Sequence, residues 1–148
     1  IGEDMLFVFQ YLHHCRSIHF SKDASYHYTI APGSAMLSSR DYTQPYEKTF
    51  GVMSEKGRFP LPITDRTLSR WAFDASIIII ANPFIIDRSY TEFKKWWREF
   101  CQTALYRSAV ASEKPSGYKR RVLHFALHSE NTLAIYVLFR LLRFGKKK

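Results

Sequence analysis

A mainly α fold with a short β element is what these 148 residues predict, and three observations predict it. Hydrophobic residues make up 46% of the chain, with 12 Phe and 9 Tyr, which is enough apolar material for one domain with one sizeable core. Long stretches carry their apolar side chains at helical spacing. Two short runs, SIHFS and SYHYTI, are instead β-branched and aromatic, and Ala31-Pro32-Gly33-Ser34 breaks the second, so they read as two short strands and a loop. Low-complexity tracts and internal repeats are missing, which removes a disordered or solenoid reading.

In chain order, Met5, Leu6, Phe7, Val8, Phe9, Tyr11 and Leu12 surround the axis of a helix running from Asp4 to His14, so that helix is expected to be core. Between Ser38 and Pro62 the punctuation by Pro45, Gly51, Gly57, Pro60 and Pro62 allows a turn or two of helix joined by loop. Thr64, followed by Asp65, opens a long helix through Trp71, Phe73 and the isoleucines at 77 to 80, which must kink or end at Pro83. That isoleucine run is far shorter than the ~20 apolar residues a bilayer span takes. From Tyr90 to Val110 a single amphipathic helix is expected, with Phe93, Trp96, Trp97, Phe100, Ala104 and Leu105 opposed by Lys94, Lys95, Arg98 and Glu99. Lys114-Pro115-Ser116-Gly117 makes a break, after which helices are expected from Tyr118 to His128 and from Asn131 to Phe144.

The net charge is +9, and it is unevenly placed. From Glu113 onward there are nine Lys or Arg against two acids, Glu113 and Glu130, so +7 of it lies in the last quarter. Such a field attracts polyanions, either anionic headgroups or nucleic acid. The cations cluster at the carboxyl end of an apolar helix and not along a strand with interleaved aromatics, which favours a membrane surface over nucleic acid. The chain begins on Ile and on a charged turn, as the later part of something longer would, and its amino end has no export signal. Cys15 and Cys101 are far apart and form no CxxC pair, which fits free thiols in a reduced, cytoplasmic setting.

Glu3 and Asp4 are the first candidates for chemistry. Acids at a helix start accept backbone N–H bonds and meet the positive end of the macrodipole, so on composition alone a capping role is favoured. An ionised carboxylate at the end of an apolar helix, with Gly2 before it, also suits a general base. His124 and His128 have the i, i+4 spacing of a metal-binding pair, but Phe125 stands where the zinc-protease signature has Glu and Lys119 to Arg121 lie nearby, so no metal site is assigned. There is no GxSxG, no glycine-rich phosphate loop and no persuasive His partner for either Cys.

Gly2-Glu3-Asp4 with Leu6-Phe7 and Gln10-Tyr11-Leu12, then Tyr26-His27-Tyr28 and Pro32-Gly33-Ser34, resembles the second half of a bacterial family 2 glycosyltransferase. The likeness is strongest over residues 1–37 and vaguer over the carboxyl-terminal helices. It implies that 1–37 is the end of a catalytic GT-A α/β domain and that 38–148 is a helical region with a basic amphipathic tail. Asp4 then falls on the catalytic base of the ED motif, with Glu3 as its neighbour, in an inverting enzyme that uses a nucleotide-sugar donor and a saccharide or lipid-linked saccharide acceptor. The family often has Arg where Thr29 stands, which leaves His27 or Ser34 as the expected contacts to donor or acceptor. Its metal-binding DxD precedes the ED helix, and no DxD occurs in these residues, so Mn or Mg is expected only upstream. A peripheral place at the cytoplasmic membrane face follows from the same likeness. The alternative of another class is a non-enzymatic basic helical module that docks on a membrane surface or a partner protein.

Overall fold

A computed structural model of the chain describes residues 3–12, 14–17, 19, 41–55, 63–129 and 131–144. Among these the fold is helical without a strand: α1 Glu3–Leu12, α2 Thr43–Ser54, α3 Asp65–Ala81, α4 Pro83–Ile86, α5 Tyr90–Phe100, α6 Ala104–Val110, α7 Tyr118–His128 and α8 Thr132–Phe144. The mainly α expectation stands. The SYHYTI strand, most of SIHFS, and the domain boundary at 37 lie outside the described residues.

α3 is the central element. The Thr64 side chain caps it by accepting the Thr67 N–H at 3.2 Å, and it ends at Asn82, whose side chain accepts the Phe84 N–H to start α4 at Pro83. Pro is tolerated there because a first-turn N–H has no intrahelical partner. α3 packs against α2, α4, α6 and α8, and α5 lies against α8. In the isoleucine run, Ile79 and Ile80 are fully buried while Ile78 is 51% exposed, as a 3.6-residue repeat requires of four consecutive side chains.

Three expectations need correction. α2 is a full three-turn helix and not a turn or two: Pro45 falls in its first turn, and the Asp41 carboxylate accepts the Thr43 N–H at 2.8 Å just ahead of it. The single helix from Tyr90 to Val110 is two. α5 stops at Phe100, and Thr103 opens α6 by accepting the Tyr106 N–H at 3.0 Å. A capping hydroxyl redirects the chain there without Gly or Pro. The third correction is that α1 is not core, because Phe7, Val8 and Tyr11 are exposed, at 65%, 49% and 60%. Among the described residues α1 packs chiefly against α2, which leaves these three side chains uncovered.

The amphipathic pattern of α5 holds as expected. Phe93, Trp96, Trp97 and Phe100 are buried, and Lys94, Lys95, Arg98 and Glu99 face outward. Trp96 and Phe100 stack at 5.0 Å, Phe93 and Trp97 at 6.1 Å, and Tyr136 of α8 meets Phe93 at 5.0 Å. Such pairs add ~0.5–1.5 kcal/mol each beyond area burial. The polar tips are satisfied: Trp96 Nε1 donates to Thr43 Oγ1 at 3.4 Å, and Tyr136 Oη donates to the Arg88 carbonyl at 2.7 Å. This aromatic seam joins α5 to α8 and so fixes which face of α8 points inward.

Candidate functional site

Of the residues singled out by the sequence, Glu3 and Asp4 occupy the first turn of α1. His27 and Ser34 lie outside the described residues, as does the tail from 145 to 148.

The histidine pair is a packing feature. His124 is buried, stands with Nε2 2.9 Å from the Ser112 carbonyl, and packs on Phe73 at 5.7 Å. The His128 ring is 4.5 Å away, and burial, followed by the charge of His124, lowers its pKa. Among the described residues no three His, Cys, Asp or Glu side chains gather, so none of them fits the divalent cation that the resemblance puts upstream. Cys15 and Cys101 are free thiols. Burial pushes the Cys101 pKa up, which keeps it protonated and a poor nucleophile.

α8 carries two faces. Ile135, Tyr136 and Phe139 are buried, while Leu133, Val137 and Leu141, spaced four apart, form an exposed row with Leu142 beside them. Phe125 of α7 is also exposed, at 78%. At 13 residues α8 is ~20 Å long, short of a ~30 Å hydrocarbon core, and no described helix is long and apolar enough to cross a membrane. Lys146, Lys147 and Lys148 follow it in sequence.

Sequence reading missed a basic pocket of about 230 Å³ between α3 and the start of α7. Arg66, Arg70 and Phe73 line it from α3, Lys114 and Ser116 from the preceding loop, and Arg120 from α7. Arg66 pairs with Glu113 at 2.9 Å, and Arg120 pairs with Asp74. Arg70 and Lys114 have no carboxylate partner among the described residues. The α3 cations and those of the 114–121 stretch are some 45 residues apart in sequence, and separately each looks like an ordinary solvated face. No signal short of the helix packing joins them.

No family model matches this chain, and no curated protein or solved structure matches it either.

Proposed function

We propose that the described helices form the membrane-attached, basic region of an inverting glycosyltransferase working at the cytoplasmic face of a membrane in polysaccharide or glycolipid assembly. The observation that carries the attachment is the exposed apolar row of α8, Leu133, Val137, Leu141 and Leu142, beside a cationic sequence. A solvent-facing core helix has no use for such a row, whereas an interfacial helix buries it ~5–10 Å into the headgroup boundary. Four partly exposed apolar side chains gaining ~1 kcal/mol each, and three lysines gaining ~1 kcal/mol each near an anionic leaflet, sum to reversible binding on the order of 10 µM.

The catalytic half of the proposal rests on the resemblance of residues 1–37 and on Glu3 and Asp4 standing at the start of α1. In this reading Asp4 takes the proton of the acceptor hydroxyl as that oxygen attacks the anomeric carbon of the donor. The nucleotide diphosphate leaves from the opposite face with the electron pair of the broken bond. One carboxylate suffices because no glycosyl-enzyme forms. A divalent cation bound upstream would neutralise the leaving diphosphate.

Attachment is tested by cosedimentation with anionic vesicles. The parent should bind at low salt and be released by high salt, and changing Lys146, Lys147 and Lys148 together to Gln should weaken binding strongly. No vesicle binding by the parent sinks the membrane reading. For the chemistry, Asp4→Asn in the complete enzyme should lower turnover by at least ~10²-fold with donor affinity nearly unchanged. Turnover within a few-fold of the parent makes Asp4 a cap and leaves the non-enzymatic docking module as the better account.

A further inference from the structure

We propose that one stripe of α3, with the amino end of α7 beside it, binds a single anionic phospholipid, its phosphate in the basic pocket and an acyl chain in the adjoining apolar groove. The lipid's source rests on the membrane reading above; the site itself rests on separate residues. Arg66, Arg70, Phe73, Ile77 and Ala81 are spaced four, three, four and four apart, which puts them on one face of α3. The amino half of this stripe lines the basic pocket, and its carboxyl half lines a groove of about 640 Å³. The groove is walled by Ile77, Ala81, Val122, Leu123, Leu138 and Leu142, with Lys119 at its edge. One helix thus passes from cationic to apolar surroundings.

The chemistry of the pocket selects the headgroup. Among the described residues Glu113 and Asp74 answer Arg66 and Arg120, which leaves Arg70 and Lys114 as two positive charges in excess. Ser112 also lines this pocket. Gly117 stands just ahead of α7, so no side chain caps its first amides, and its first turn holds no acid. Phosphate oxygens would answer the two excess cations and the α7 amides, whereas the trimethylammonium of a zwitterionic headgroup would bring a third cation beside Arg70 and Lys114. Length agrees as well. Arg70 to Ala81 spans ~16 Å at 1.5 Å per residue, close to one leaflet's share of a ~30 Å hydrocarbon core.

The test is calorimetric titration of the whole chain with a short-chain phosphatidic acid below its micelle concentration, against inorganic phosphate and a phosphocholine lipid of equal chain length. The phosphatidic acid should bind saturably and at least about tenfold more tightly than either comparator. R70Q with K114Q should weaken lipid and phosphate together, whereas A81W, at an exposed position on the groove, should weaken the lipid alone. Circular dichroism checks that both variants are folded. Absence of saturable lipid binding, equal affinity for the phosphocholine lipid, or an unchanged R70Q/K114Q variant overturns the proposal. Equal affinity for lipid and phosphate overturns it too, leaving a free-anion pocket. If vesicles bind the parent but monomeric lipid does not, the membrane reading stands and this site falls. Monomeric binding without vesicle attachment keeps the site and removes the membrane reading.

Discussion

Replacing Ile79 and Ile78 of α3, one at a time, by Ala separates core from surface within a run of identical side chains. Ile79 is fully buried, so truncation removes three carbons from water-free surroundings, worth about 2.4 kcal/mol at ~0.8 kcal/mol per carbon. A term for the unfilled cavity raises the expected loss to about 3–4 kcal/mol, inside the usual range for Ile→Ala in a core. Ile78 is 51% exposed, so by the same count it surrenders about half as much, ~1.2 kcal/mol, of which the better helix propensity of Ala returns ~0.4 kcal/mol. Its expected loss is therefore ~0.8 kcal/mol, about a quarter of that at Ile79. Urea unfolding followed by circular dichroism reads both. For a chain of this size, Ile79→Ala should also lower the melting temperature by roughly 6–12 °C, and Ile78→Ala by only ~2–3 °C. Equal losses at the two positions, or a larger loss at Ile78, would refute the orientation of α3 and with it the face assigned to the pocket and groove.

Gly117 has φ 87° and ψ 140°, a region nearly closed to side-chain-bearing residues, although a Cβ there would meet no atom within 4 Å. Gly117→Ala should therefore cost ~1–3 kcal/mol through the backbone alone, and a loss under ~0.5 kcal/mol in urea unfolding would show that the turn relaxes freely. His128 is held below its ordinary pKa of 6.5 when folded, so the unfolded chain binds more protons below that pH. Stability should be level above pH ~7.5 and fall as pH drops through ~6.5; His128→Gln should flatten that slope before the carboxylates titrate, and an unchanged slope would place the titrating group elsewhere.

What the sequence disclosed tracks where local chemistry decides structure. Thr64 with Asp65, Pro83, and the break at Lys114-Pro115-Ser116-Gly117 are terminal signals that act within a few residues, so the bounds of α3 and α7 are readable without tertiary information. α2 was hidden because Pro45 and Gly51 read as breakers, yet Pro is harmless in a first turn and the helix is held by packing of Phe50 and Met53. The α5 to α6 break was hidden because Thr103 is a common residue whose capping role depends on where the chain must turn. The basic pocket was hidden because Arg66 and Arg70 meet Lys114 and Arg120 only after α7 lies beside α3. Glu3 and Asp4 are legible as a motif, and their placement in the first turn of α1 agrees with either capping or catalysis.

Exposed apolar surface alone does not identify a membrane face, and α1 shows why. Phe7, Val8 and Tyr11 are as exposed as the row on α8, so by area the two helices would rank alike. Charge separates them. α1 begins with Glu3 and Asp4, and a leaflet of anionic lipid approached by its amino end would meet like charge, so the electrostatic contribution that reinforces apolar burial would oppose it there. α8 is followed in sequence by Lys146 to Lys148, whose charge would reinforce apolar burial at an anionic leaflet. The groove along α3 adds position to that agreement, because Leu138, Leu141 and Leu142 of α8 wall it while Lys119 stands at its edge. Exposed apolar residues and a cationic sequence therefore go together at α8 and part company at α1, which is why we propose α8 with its groove, and not α1, as the docking face.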